Sequence, residues 1–375
     1  MDLPLAEGML EVWVRRAAAR RPVESLASLH LPSVQRVLLV LTTGLGDAVL
    51  STPAFQAVRR ALPQARIALF VRNAWAPLFH AERDVDEVIG YHGKWRRFFS
   101  TLGRLRSFSP ELTLVLHGND PDVIPLAYLA GSRHIVRVPT AGTRFGRLLS
   151  NSQREQDKAT VDGLHYIENR LRVLETVGIA PVLHVPAVHL SDAQIHAARA
   201  WVERQIGRRA FIVVHRHAAD RYKTWPRAKA MEFLRDALSL YPDLGVVLTG
   251  AGADRGDAAE MAAPFPSGRV VVAAGTFDIG GTAGLITLAR AVVAPDTGIL
   301  HLAAALDVPT IGLFSPTRPA LVGPRARTAS VVVLVKGLTC TPCEEKRCPH
   351  NPALCMAQFS GAEVLRALAE TLVGP

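Results

Sequence analysis

The sequence predicts an α/β protein built from two doubly wound parallel-sheet domains. Three observations predict it. The chain has 375 residues, about twice the length of an ordinary single-core domain. Short β-rich apolar runs alternate with helical stretches over most of that length. The alternation stops once, in a Pro-punctuated stretch from Ala180 to Leu190, and then starts again.

The elements follow in order. Residues 1–33 read as an appendage. Leu10, Trp13, Val14 and Ala17 fall at helical spacing, beside Arg15, Arg16, Arg20 and Arg21. Such a helix suits a membrane surface or the body of the protein, and both readings stand at this point. Arg36–Leu41 is an apolar strand, and Asp47–Leu62 a helix with Pro53 near its start. Arg66–Val71, Val85–Tyr91 and Leu112–Leu116 are further strands, and Leu164–Val177 is a helix ended by Gly178. Beyond the break, Ser191 and Asp192 offer an N-cap to a helix over Ala193–Ile206. Strands are then expected at Phe211–His215, Gly245–Gly250, Val270–Ala273, Val292–Ala294 and Thr310–Phe314. Helices between them are expected at Pro226–Leu240, Arg255–Ala262, Thr282–Arg290 and Gly298–Leu306, and Ala362–Leu372 closes the chain. Strands alternating with helices form parallel sheets covered on both faces, so two such halves with a cleft between them are expected. The organisation predicted is an appendage over 1–33 and a first doubly wound domain over 34–185. A ligand-binding domain over 186–357 and a closing helix over 358–375 complete it.

Composition narrows the function. Hydrophobic residues make up 49% and charged residues 20%, enough to bury a core and to exclude wholesale disorder. The net charge is +10, which favours an anionic partner. Residues 91–150 carry much of it: Lys94, Arg96, Arg97, Arg104, Arg106, Arg133, Arg137, Arg144 and Arg147 stand against Glu111, Asp120 and Asp122. Trp95, Phe98 and Phe99 interleave the first basic group. No nucleic-acid recognition motif accompanies them, so a phosphorylated substrate or an acidic membrane surface is the expected partner rather than nucleic acid. A plain solvated charged face is the alternative. The longest apolar runs, Val37–Leu41 and Val331–Val335, fall far short of the roughly 18 residues a spanning helix needs. The N-terminus lacks a basic n-region and an apolar h-region, so a cytoplasmic location is expected.

Four motifs carry candidate chemistry. Thr42-Thr43-Gly44-Leu45-Gly46-Asp47 leads on to Thr52-Pro53 and follows the first strand, where open α/β sheets dock ligands. A dinucleotide fingerprint needs a third glycine at position 49, which is Val49, and an acid after the second strand, where Arg72 stands. Hydride transfer is therefore rejected. Gly44 and Gly46 permit close approach. Asp47 is either an N-cap or a general base on an acceptor hydroxyl, and Thr52 lies on the same loop side. Pro295-Asp296-Thr297-Gly298 runs on to His301 and opens a helix after a strand, a place that suits phosphate. Lys223 in Lys223-Thr224-Trp225-Pro226 puts a cation after the strand Phe211–His215, suited to a leaving diphosphate. Thr249-Gly250-Ala251-Gly252-Ala253-Asp254 is a Gly-rich turn, with Asp254 placed for a ribose hydroxyl or simply for the turn.

All four cysteines, Cys340, Cys343, Cys348 and Cys355, fall in one loop with His350 among them. Structural zinc or iron, reduced structural thiols, and disulfides are the three readings.

Together the Gly-Asp-x-x-x-x-Thr-Pro, Lys-x-Trp-Pro and Asp-Thr-Gly-x-x-His-Leu segments resemble glycosyltransferase family 9, the heptosyltransferases. The resemblance covers about residues 34–373. It implies a GT-B fold of two Rossmann-like domains, with acceptor in the first and nucleotide sugar in the second. It implies inverting, metal-independent transfer from an ADP-heptose-type donor to a lipopolysaccharide-core-type acceptor at the inner membrane surface, with no cofactor required for catalysis. On these terms Asp47 is the catalytic base, Lys223 the diphosphate cation, and Asp296, Thr297, Gly298 and His301 the donor site. Asp254 is a looser match near the nucleoside. A Cys-rich segment before the last helix is shared by many members. This chain departs from the pattern at His217-Ala218-Ala219-Asp220, where some members carry phosphate-contacting threonines. A same-fold transferase with another nucleotide sugar or acceptor, an inactive nucleotide-binding protein, and a basic nucleic-acid-binding module are the rivals.

Overall fold

The structure is a computed structural model that describes residues 3–138, 145–151, 163–341, 343 and 348–373. Arg144 of the basic group lies outside them. The chain divides into two compact units, Met1–His184 and Val185–Pro375.

The first unit opens with helix α1 (Leu3–Arg20). Its five strands are β1 (Arg36–Leu41), β2 (Arg66–Arg72), β3 (Glu87–Tyr91), β4 (Leu112–His117) and β5 (His134–Arg137), all parallel in the order β3-β2-β1-β4-β5. β1 and β2 are almost entirely buried because helices cover both faces, which is why they read as unbroken apolar runs. The connecting helices are α2 (Leu45–Leu50), α3 (Thr52–Ala61), α4 (Phe98–Phe108), α5 (Val123–Leu129) and α6 (Tyr166–Glu175).

Two expectations change here. The single helix expected over Asp47–Leu62 is two helices with a joint at Ser51. Pro53 has no N–H to give the Val49 carbonyl, and the Thr52 hydroxyl donates to that carbonyl instead at 2.9 Å. The Ser51 hydroxyl donates to the Asp47 carbonyl at 2.7 Å. The apolar stripe of α1 packs on the body: Leu10 and Val14 are buried in the core shared with β1, β2 and α5. Among the described residues no helix is long and apolar enough to cross a membrane.

The second unit has strands β6 (Phe211–Val214), β7 (Gly245–Leu248), β8 (Val270–Val272), β9 (Val292–Pro295), β10 (Thr310–Phe314) and β11 (Val331–Val335). They form a parallel sheet in the order β11-β10-β9-β6-β7-β8. Its helices include α7 (Asp192–Ile206), α8 (Arg227–Leu240), α9 (Arg255–Ala262), α10 (Ile279–Thr287) and α11 (Gly298–Ala305). Short α12 (Pro319–Val322) and α13 (Leu354–Ala357) precede α14 (Gly361–Val373). α7 starts on the Ser191–Gln194 capping box. Fully buried Trp225 anchors the loop after β6: its indole N–H donates to the Phe359 carbonyl at 3.1 Å and its ring tilts against Phe233. The turns after β7 and β8 meet backbone to backbone. Gly275 has φ +67, and a Cβ there would lie 2.6 Å from the Cα of Gly252, so a side chain is excluded twice over.

In each unit the winding reverses between two adjacent strands, β1 and β4 in the first and β6 and β9 in the second. The carboxyl ends of such a pair splay their following loops apart and leave a crevice.

Candidate functional sites

The reversal point of the first unit gathers Thr43, Asp47, His117 and Arg170. Thr43 and Asp47 follow β1, and His117 ends β4. Arg170 sits on α6 with only 4% of its surface exposed. Its guanidinium Nη2 lies 2.6 Å from Asp47 Oδ1 and stacks over the Tyr166 ring. The Thr43 hydroxyl lies 3.1 Å from Asp47 Oδ2 and 2.5 Å from His117 Nδ1, and Asp47 Oδ2 is 3.6 Å from that same nitrogen. Burial alone would push the Asp47 carboxyl up. The charges of His117 and Arg170 and hydrogen bonds from Thr43 and the Gly44 N–H outweigh it and hold the group below the usual carboxylate range. Asp47 is thus ionised, with its side chain 23% exposed. Gly44 is exposed and caps α2, Gly46 lies in its first turn, and the buried Thr52 hydroxyl is spent on the helix joint.

Beside this site a cavity of about 510 Å³ opens at the ends of β2 and β3. Arg72, Asn73, Tyr91, His92, Arg96 and Arg97 line it. Its loop is strained and clamped. Gly93, Trp95 and Arg97 all have left-handed backbones, and the buried Asp122 carboxylate accepts from the Tyr91 hydroxyl at 2.8 Å and the Trp95 N–H at 3.0 Å. Burial and the neighbouring arginines push His92 down from its ordinary value.

In the second unit the reversal point is closed by an ion pair. Lys223, after β6, places Nζ 2.7 Å from Oδ2 of Asp296, after β9. The Thr317 hydroxyl donates to the same oxygen at 2.8 Å, and His301 Nε2 lies 3.3 Å from Oδ1. Burial raises the Asp296 carboxyl, but His301 and Lys223 dominate and hold it far below the ordinary range. Thr297 caps α11 ahead of Gly298. Two buried polar atoms at this helix start, Thr297 Oγ1 and His301 Nδ1, have no hydrogen-bond partner among the described residues. Unmet polar atoms at the open N-terminus of a helix mark a place shaped for a polar ligand.

Asp254 lies on the neighbouring turn. Its carboxylate accepts the Ala251 N–H at 2.8 Å, and its other oxygen is 3.8 Å from His217 Nδ1. His217 Nε2 is 3.3 Å from Asp257, whose carboxylate also pairs with Arg216. His215 contacts Thr249 at 3.1 Å.

The cysteine loop borders the second site: the Cys343 N–H donates to the Pro316 carbonyl at 2.8 Å, next to Thr317. Cys340, Cys343, Cys348 and Cys355 carry free thiols, and Cys355 is buried in the core of the second unit. Burial and the three other cysteines push the Cys343 thiol up. Among the described residues no group of three or more His, Cys, Asp or Glu side chains could hold a metal ion. The structural zinc or iron considered from the sequence finds no ligand set there.

Thr43, His117, Arg170 and Thr317 were not among the candidates read from the sequence. One of them left a signal. Arg170 falls on the buried stripe of its helix with Ile167, Leu171 and Leu174, where an arginine needs a partner.

Residues 133–354 match the family model described as glycosyltransferase family 9 (heptosyltransferase). Lipopolysaccharide heptosyltransferase 1 of Pseudomonas aeruginosa is 28% identical over 379 residues, covering 91% of this chain and 99% of the relative. Among solved structures, Escherichia coli ADP-heptose lps heptosyltransferase II superposes with a TM-score of 0.73 at 20% identity, covering 90% of this chain and 99% of that one. E. coli heptosyltransferase WaaC with ADP gives 0.66 at 20% identity, covering 90% and 100%. These likenesses place the fold in the GT-B class.

Proposed function

The chain belongs to glycosyltransferase family 9 (heptosyltransferase) and is a transferase, and from that premise we propose an inverting transfer of a heptose-like sugar from an ADP-sugar to a phosphorylated lipopolysaccharide-core-type acceptor. The observation that carries the proposal is the paired chemistry at the two reversal points. One holds an ionised carboxylate with a solvent-facing edge; the other holds a lysine and an open helix N-terminus.

Asp47 takes the proton of the acceptor hydroxyl as that oxygen attacks the anomeric carbon. Arg170 fixes one carboxylate oxygen and Thr43 the other, so the base meets the acceptor in one orientation. The bond to the diphosphate breaks on the opposite face, and negative charge grows on the leaving ADP. Lys223 and the N–H groups opening α11 receive that charge; Thr297 Oγ1 and His301 Nδ1 supply polar atoms that await a partner. Asp296 keeps Lys223 in place and Thr317 keeps Asp296 in place. Asp254 and His217 stand beside the nucleoside. No metal is assigned a role in this scheme.

The cavity lined by Arg72, Arg96 and Arg97 suits the anionic groups of the acceptor. A surface patch next to it suits the leaflet that carries such an acceptor. Val12, Trp13 and Phe99 are 50%, 38% and 77% exposed and are linked through Phe98, with ring centroids 6.5 Å from Trp13 and 5.5 Å from Phe99. Arg15 and Arg16 flank them. Aromatic and basic side chains on one face favour an anionic interface, so the enzyme acts as a peripheral protein on the cytoplasmic side of the inner membrane.

A second reading, transfer from a different nucleotide sugar, is favoured by one observation: His217 opens the stretch where the family resemblance expects phosphate-contacting threonines, and it is held between Asp254 and Asp257 instead. A panel of nucleotide sugars with a heptose-deficient lipopolysaccharide acceptor decides between them. ADP-heptose is expected to give the fastest nucleotide release; a faster UDP- or GDP-sugar would overturn the donor assignment.

A further inference from the structure

We propose that Thr43 and His117 form a proton outlet for Asp47: the proton taken from the acceptor hydroxyl leaves the carboxylate through the Thr43 hydroxyl to Nδ1 of His117. The proposal rests on the reading of Asp47 as the base and adds two residues to it.

The geometry is that of a short wire. Asp47 Oδ2 and His117 Nδ1 are 3.6 Å apart, too far for a direct hydrogen bond. The Thr43 oxygen is within reach of both, 3.1 Å from the carboxylate and 2.5 Å from the ring nitrogen. A hydroxyl can accept one proton while it gives up another. The backbone keeps the parts in register. The Thr42 N–H donates to the His117 carbonyl at 3.0 Å, and the Trp75 indole N–H donates to the Thr43 carbonyl at 3.0 Å. The His117 side chain is 27% exposed, so the ring can pass a proton on to water.

Asp47 needs such an outlet because of its surroundings. Arg170 sits 2.6 Å from Oδ1 and is almost wholly buried. A carboxylate held that firmly in its charged form binds the acceptor proton only in passing. Imidazole is the side chain suited to take it near neutral pH. Asp47 on α2 faces the His117 ring, and Arg170 on α6 holds the other oxygen of that carboxylate. From β5, Arg137 reaches Asn119 at 2.9 Å, and from β2, Arg72 reaches the Thr42 carbonyl at 3.4 Å.

The step balances as follows. The acceptor O–H bond breaks, and its oxygen forms the new bond to the anomeric carbon as the electron pair of the old C–O bond leaves with ADP. The proton goes to Asp47. Once Asp47 is protonated the Thr43 hydroxyl turns from donating to the carboxylate to donating to His117 Nδ1; the Asp47 proton then moves to the Thr43 oxygen while the hydroxyl's own proton moves to the ring. The imidazolium releases a proton to water, and tautomer exchange through solvent restores the Nδ1 lone pair.

The test uses the full chain with donor and acceptor, comparing wild type with His117→Gln, Thr43→Val and Thr43→Ser. His117→Gln and Thr43→Val should each lower kcat by about 10- to 100-fold, with acceptor KM within about twofold. The double variant should be no slower than the slower single one, since both break one wire. Thr43→Ser should restore most of kcat. The acid limb of the kcat–pH profile should vanish in His117→Gln, because protonation of that ring no longer blocks transfer. Normal kcat with an unchanged acid limb in His117→Gln, or a raised KM with normal kcat in Thr43→Val, overturns the outlet. Should His117→Gln fold poorly, Thr43→Val against Thr43→Ser decides alone. If Asp47→Asn also transfers normally, it is the base assignment that has failed.

Discussion

Lys223 and Asp296 lie 73 positions apart in the chain and meet at 2.7 Å, joining the loop after β6 to the loop after β9. Partners this buried are costly to separate, because each would leave an uncompensated charge. The pair is also placed where the winding of the sheet reverses, so it both closes the loops and presents a cation to a ligand.

Lys223→Ala should lower kcat by about 10²- to 10³-fold and weaken ADP binding. Asp296→Asn should weaken both as well, by releasing Lys223. The double variant should lose less than the two single losses combined, as expected of coupled residues. Calorimetric ADP titration and steady-state kinetics measure this; additive losses would show that the two act separately.

The second unit should lose stability in mild acid through His215. Burial, with His217 beside it, pushes this imidazole down to about 4. The unfolded chain binds its proton near the ordinary value of about 6.5. Between those values only the unfolded state is protonated, so stability is fully present above about 6.5 and falls as pH drops toward 4. The loss is at most about 3 kcal/mol. Urea unfolding followed by tryptophan fluorescence at several pH values should show His215→Gln with a shallower pH dependence than wild type. Parallel curves would contradict it.

Trp225 ties the lysine loop to the core. Trp225→Ala should destabilise the second unit by about 3–5 kcal/mol. Trp225→Phe keeps much of the packing but leaves the Phe359 carbonyl without its donor, a cost of about 1–3 kcal/mol. Both should also weaken ADP binding, since each removes the indole bond to Phe359 that anchors the loop carrying Lys223. Denaturation with and without ADP checks this.

The aromatic patch predicts vesicle binding. Wild type should co-sediment with phosphatidylglycerol vesicles and not with phosphatidylcholine vesicles, and salt should weaken it. Phe99→Ser should reduce binding while leaving ADP affinity unchanged. Equal binding of Phe99→Ser and wild type would remove the patch from the membrane contact.

Much of this was legible in the residues. Parallel strands buried on both faces leave long apolar runs such as Arg36–Leu41 and Thr310–Phe314, and these appear nearly where periodicity puts them. The joint at Ser51 was missed because a proline near a helix start usually belongs to its first turn; here Thr52 and Pro53 begin a second helix. β5 was missed because it is only four residues long, and α5 because it is short and apolar throughout, with no period to separate strand from helix. Asp47, Lys223 and the Asp296–His301 segment stood out because each follows a strand. His117 ends a strand too, but nothing local distinguishes it. Its partners Thr43 and Asp47 lie about 70 residues away, and only the pairing of β1 with β4 brings them together.

The central claim is that Asp47 is the base, and Asp47→Asn tests it most directly, because asparagine keeps the shape and removes the proton acceptor. Transfer from ADP-heptose to a heptose-deficient lipopolysaccharide acceptor should fall by about 10²- to 10⁴-fold, while ADP affinity stays at the wild-type value. Wild-type turnover in Asp47→Asn would contradict the account.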